Sequence, residues 1–169
     1  SERRGEPLNG HGWHALWWWH YAVTELGDRP LADSLLALAV ATHQTDPTPL
    51  AESNLVRLRS AHALAFEDWT LATEAPLPET RSPSTRAMYL HARGLGALNT
   101  GDRSIAQAAA DALDGLVRES DDPSWAVRSA ALSMRAALSE SEGERIRLLR
   151  EAAAIEISAP LTFGPPAPF

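Results

Sequence analysis

A short corner recurs along this chain, and it restricts the fold more than any other feature: Gly27-Asp28-Arg29-Pro30, Glu67-Asp68-Trp69 and Gly101-Asp102-Arg103-Ser104, with a weaker fourth at Glu140-Ser141-Glu142-Gly143. Each lies between two segments of helical apolar periodicity. Glycine can take the left-handed conformation that ends one helix, Asp or Ser can accept hydrogen bonds from the first amides of the next, and Pro30 fits a first helical turn. These are corners of helical hairpins. Longer breaks at residues 43–49, 75–83 and 119–123, rich in Pro and Asp, separate one hairpin from the next. The hairpins are placed at residues 12–42, 49–74, 84–119 and 124–157, with a Pro-rich tail at 158–169.

Composition agrees with helix. Alanine and leucine make up about a third of the 169 residues, against two Tyr and three Phe. The clearest stripe is Ile105, Ala106, Ala109, Ala112, Leu113 and Leu116, with Arg103, Asp111, Asp114 and Arg118 on other faces. Strands have almost no support. The predicted helices are 12–26, 30–42, 49–66, 69–74, 84–98, 102–119, 124–140 and 143–157, the fourth cut short by Pro76 and Pro78.

From Asp68 to Asp102 is a step of 34 residues, and the other steps are near 40. The fourth residue after each corner Asp is alanine, at Ala32, Ala72 and Ala106, while the fourth corner has Arg145. Seven or eight residues before each corner stand His20, Ser60, Gly94 and Ser133, three of them small, as a close helix crossing requires. This pattern resembles the tetratricopeptide repeat family. Arg59 and Arg93 stand where that family has Leu, His20 where it has Gly, and Trp69 where it has Tyr. The segments 59–69, RSAHALAFEDW, and 148–168, LLREAAAIEISAPLTFGPPAP, are further similar to the C-terminal part of a group of uncharacterised bacterial tetratricopeptide proteins. The resemblance implies an all-α, right-handed α-α superhelix of about four antiparallel helix pairs. Another hairpin follows the Pro-rich turn in that group, so the chain is expected to be part of a longer protein.

Several chemistries are closed. With no Cys there is no thiol nucleophile, disulfide framework or zinc ribbon. All 15 basic residues are Arg against 22 acidic ones, a net charge of -7, which argues against phosphate-backbone binding; no nucleic-acid partner is expected. No apolar run approaches the roughly 20 residues a bilayer needs, so a membrane role is not expected and the chain reads as cytoplasmic. His11 and His14 could share a helical face, but there is no His-Glu-x-x-His pattern and no metal or other cofactor is expected. Gly94-Leu95-Gly96 lacks the third glycine of a dinucleotide fingerprint and reads as close helix packing. Ser60 and His62 sit too close on one helix to face each other, and the Asp111/Asp114 and Glu140/Glu144 pairs read as solvated helix exteriors. Arg147 and Glu151 are spaced for a surface salt bridge. No active site is predicted, and the protein is not expected to be an enzyme.

The unusual segment is Trp13 with Trp17-Trp18-Trp19-His20-Tyr21. Three consecutive tryptophans on a helix point about 100° apart, so one neighbouring surface cannot cover them all. The resemblance sets the first helix of each hairpin along a concave groove. It places there His14, Trp17 and Tyr21, then Arg57, then Met88, His91 and Leu95, then Met134, with Trp19 packed inward and Trp18 turned toward a preceding repeat. The function expected is a non-catalytic scaffold that binds a peptide, a helix or a neighbouring domain of its parent chain in that groove, with self-association through the Trp-rich helix as a further option. A ligand-sensing module with an apolar aromatic pocket and a helical accessory domain of an enzyme are the alternatives. The two-lysine clamp of chaperone-tail-binding relatives is impossible without Lys.

Overall fold

The computed structural model describes residues 8–76 and 78–159, so the predicted tail and its Phe-Gly-Pro-Pro run lie largely outside the described residues. Eight helices and no strand occur among the described residues: α1 (Gly10–Glu25), α2 (Arg29–Thr45), α3 (Pro49–Ala65), α4 (Trp69–Glu74), α5 (Pro83–Asn99), α6 (Arg103–Arg118), α7 (Trp125–Leu138) and α8 (Glu142–Ser158). The chain is all-α. Helix bounds fall within three residues of those read from the sequence, and α4 ends at Glu74 as predicted.

The corners explain the regularity. At each of the first three, the aspartate side chain caps the following helix, accepting from the amides of Leu31, Leu71 and Ile105 at 3.0–3.1 Å. The residue before it is left-handed, with φ of 70° at Gly27, 52° at Glu67 and 86° at Gly101. The Asp28, Asp68 and Asp102 amides reach back to the carbonyls of Val23, Ala63 and Ala97, satisfying acceptors at the preceding helix end. Glu67 holds this conformation without the freedom of glycine. The fourth corner differs: no residue takes positive φ, and Ser141 caps α8 through the Glu144 amide.

Packing follows a repeating rule. Each even helix packs on the odd helix before it, α3 packs on α1 and α2, α5 on α3 and α4, and α7 on α5 and α6, whereas α2, α4, α6 and α8 make no close backbone approach to one another. Small residues fill the second-helix crossing positions set by the first three corners, whereas Arg145 at the fourth is exposed. Ala32, Ala72 and Ala106 are buried. A Cβ on Gly96 would stand 2.8 Å from the Ala72 Cβ, and one on Gly94 would run into Met134, so this pair serves close helix packing. One apolar core joins α1 to α3 around Trp13, Leu16, Val23, Leu35 and Leu58; a second joins α5 to α7 around Tyr89, Leu113, Val127 and Met134. Fully burying each large side chain contributes about 1.5–3 kcal/mol.

The face of α1 differs from expectation. Trp13, Leu16, His20 and Val23 form the inward stripe, at i, i+3, i+7 and i+10. Trp19, expected inside, is 54% exposed, because it lies about 100° around the helix from His20, which takes the inward place.

Candidate functional site

The inward turn of His20 sets His14, Trp17, Trp18 and Tyr21, at i, i+3, i+4 and i+7, on a neighbouring face of α1. Trp18 joins this group rather than pointing away from it. Its indole Nε1 donates to His14 Nε2 at 3.0 Å, and its ring meets Tyr21 edge-on with centroids 6.0 Å apart. From α3 the Arg57 guanidinium lies over Trp17, 5.5 Å from the ring centroid, and its Nε donates to Thr85 Oγ1 of α5 at 3.2 Å. Burial lowers the Arg57 pKa from its ordinary value. Attraction between a cation and an aromatic face strengthens as the pair loses water, so this contact fixes Trp17 in place. The structure therefore brings His14, Trp17, Tyr21 and Arg57 together across α1 and α3.

It does not extend the row along α5 and α7. Met88, His91 and Met134 are buried at 6%, 3% and 0% exposure, and Leu95 is half-buried. The reason is position in the stack: α5 is packed by α3, α4, α6 and α7, which cover it on most sides. A side chain without surface has nothing to offer a partner. Burial also pushes the His91 pKa down to about 4, so the ring is neutral at pH 7.

A second assembly was not visible in the sequence. His20 of α1 and His62 of α3 are both buried, with His20 Nε2 3.1 Å from His62 Nδ1. His62 Nε2 lies 3.0 Å from Asp33 Oδ1 of α2. An ionised carboxylate only accepts, so the proton on His62 sits at Nε2, its Nδ1 accepts, and His20 Nε2 is the donor. Burial, then the charge of His62, lowers the His20 pKa to about 4, and burial outweighs Asp33 to lower that of His62. The result is a neutral, directional chain of hydrogen bonds that ties three helices together. Phe66 stacks on His62 with centroids 4.9 Å apart, and Arg29 covers Phe66 while pairing with Asp68 at 2.9 Å. The hydrogen-bonding atoms of both rings toward each other and toward Asp33 are engaged, and among the described residues neither ring bonds a hydroxyl.

His62 also lies at the edge of a surface groove of about 490 Å³ between α2 and the start of α4. A smaller cavity of about 260 Å³ lies where residues 79–81 meet the start of α3. Among the described residues no group of three or more His, Asp or Glu is placed to hold a metal ion, and no helix is long and apolar enough to cross a membrane. Neither a family model, nor a curated protein, nor a solved structure matches the chain. What the chain does must be argued from these surfaces.

Arg147 pairs with Glu151 at 3.1 Å as its spacing predicts, and more closely with Glu144 at 2.8 Å. All three groups are exposed, and such pairs contribute little to stability. They decorate the outer face of α8 and take no part in either surface.

Proposed function

We propose that this protein is a non-catalytic scaffold with a tetratricopeptide-like superhelical arrangement, and that it binds a peptide, a helix or a neighbouring domain against the first two odd helices. The observation that carries the reading is the exposed aromatic surface of α1: Trp18 and Trp19 are 41% and 54% exposed, beside Trp17 held under Arg57. Tryptophan, tyrosine and arginine dominate the energetics of binding surfaces because they bury large area at low entropic cost. Here the flanking contacts from His14 and Tyr21 hold Trp18 in one orientation before any partner arrives. The packing rule of the helices supports the arrangement, since each hairpin adds an odd helix to one continuous layer.

The proposed site is His14, Trp17, Trp18, Tyr21 and Arg57, with Met88, His91 and Met134 acting as the core that supports it. Affinity capture with the native protein and with a Trp18→Ala/Trp19→Ala variant tests it. Both rings are substantially exposed, so the double substitution is expected to leave the melting temperature within a few degrees and to lose the captured partner. Equal capture by the two proteins at equal stability would remove the reading.

A further inference from the structure

Every full second helix in this chain is long: α2 has 17 residues, α6 has 16 and α8 has 17, but α4 has six. After Glu74 the chain leaves the helical conformation, at φ -57° and ψ 130° for Ala75, and returns toward the foot of α3. There the Glu79 amide donates to the Glu52 carboxylate at 3.0 Å and Thr80 hydrogen-bonds Ser53 at 2.9 Å. An extended strand of chain is thinner than the 10–12 Å cylinder of a helix. The layer of second helices is therefore short by about ten residues, or about 15 Å at helical rise. The 490 Å³ groove opens between α2 and the start of α4, along the α2 face from Asp33 to Gln44.

We propose that this groove is the docking site for an amphipathic helix of a partner protein, two to three turns long and carrying Arg or Lys at its end. The apolar part of the groove is Leu36, Ala37, Val40 and Ala41 of α2 with Leu71 of α4. The α2 residues follow i, i+1, i+4 and i+5, one helical face, and Ala37 and Ala41 are small and exposed, so a second helix can approach closely. One end of the groove carries charge. Asp33 is 54% exposed there, and the Asp68 carboxylate is beside it; Arg29 neutralises one of the two, and His62 bonds Asp33 as a neutral donor. Gln44, which also lines the groove, is uncharged. The surplus is one negative charge at the Asp33 end of an apolar trough, on a protein of net charge -7, and it is complementary to a cation on a helix end. The surface is built by α2 and the start of α4 with His62 of α3 at its edge, and none of its lining residues belongs to the Trp18 face.

The test uses the full chain and three synthetic 10-residue peptides. The first has Leu at i, i+3, i+4 and i+7 with Arg at each end, the second has Glu in place of Arg, and the third has the first peptide's composition with its periodicity scrambled. Titration followed by amide chemical shifts is expected to show the Arg helix binding with shifts centred on α2, the start of α4 and His62, and the Glu helix at least tenfold weaker. The scrambled peptide is expected not to bind. Ala41→Glu, a change at an exposed position, is expected to abolish binding. Asp33→Asn, which keeps an acceptor for His62, is expected to bring the Arg and Glu peptides to equal affinity. The proposal is overturned if the Arg helix does not bind, if Ala41→Glu binds it unchanged, or if the shifts centre on Trp17, Trp18 and Tyr21 of α1. It is also overturned if the scrambled peptide or dodecylamine binds as well as the Arg helix, since the groove would then take any cationic amphiphile.

Discussion

Lowering the pH from 7.5 to 5 is expected to remove at least about 4 kcal/mol of folding stability: His91 and His20 supply about that much, and His62, whose pKa burial also lowers, adds in the same direction. Burial holds His91 at about 4, and burial together with His62 holds His20 at about 4, against 6.5 for an ordinary imidazole. The unfolded chain therefore binds protons at these rings that the folded chain refuses. For a base whose folded pKa is depressed, the stabilisation is complete above about 6.5 and is lost as the pH falls toward 4. At 1.36 kcal/mol per pH unit, each ring costs about 2 kcal/mol at pH 5 and about 3 kcal/mol at pH 4. Together they amount to a large part of the roughly 5–15 kcal/mol available to a domain. The window from 7.5 to 5 isolates these rings from Asp102 and Glu144, whose carboxyls are held below their ordinary values by an amide of their helix's first turn and by Arg147, respectively. Urea unfolding followed by far-ultraviolet circular dichroism at pH 7.5, 6 and 5 measures the loss. His91→Gln should remove about 2 kcal/mol of the pH dependence while lowering the stability at pH 7.5. If stability at pH 5 matches that at pH 7.5 within about 0.5 kcal/mol, or if either ring titrates near 6.5 by NMR, the reasoning fails.

Three further outcomes are expected. Glu67→Gly should stabilise the protein by about 1 kcal/mol, raising the melting temperature by about 2–4 °C in calorimetry, because Glu67 holds a φ of 52° that glycine adopts freely; Gly101→Ala should do the reverse. Gly96→Ala should cost about 1–3 kcal/mol in urea unfolding, and more than Gly94→Ala. At 96 a Cβ meets the Ala72 Cβ at 2.8 Å and the Trp69 carbonyl oxygen at 3.1 Å, whereas at 94 much of the obstacle is the thioether end of Met134, which can turn aside. Trp13→Ala should cost about 3–5 kcal/mol, since that ring is 1% exposed, while Trp19→Ala should stay within about 0.5 kcal/mol; matching losses would show that the two rings are not on opposite sides of the solvent boundary.

The parts of the fold that were legible are those whose chemistry is local. A glycine at left-handed φ, an aspartate three residues before the amide it caps, and two prolines after a short apolar run each act within one or two turns, so Gly27, Asp28, Gly101, Asp102 and the early end of α4 could be placed. The same holds for Gly94 and Gly96, where small size by itself announces a close neighbour. The facing of α1 was not legible. Apolar and aromatic residues run nearly all round that helix, so its period selects no single face, and a polar His20 inside the inward stripe masks the i, i+3, i+7, i+10 pattern.

The candidate surfaces divide on the same line. His14, Trp17 and Tyr21 could be grouped because they are neighbours on one helix, and the register of the resemblance sets Arg57 beside them, where its guanidinium lies over Trp17. That register says which way a side chain points but not whether another helix lies over it. Met88, His91 and Met134 are covered, because α5 and α7 sit where neighbours close in. The small residues around α5, Ala87, Ala92, Gly94, Gly96 and Ala97, were the available sign that this helix is packed on several sides. The chain from His20 through His62 to Asp33 had no such sign. Its members are 42 and 29 residues apart on three helices, and each looks ordinary in its own turn. Only their meeting gives the inward ring of α1 its partner: His20 takes a core position and holds a hydrogen bond to α3, and burial of that ring gives the helix pair a dependence on pH that an apolar side chain there would lack.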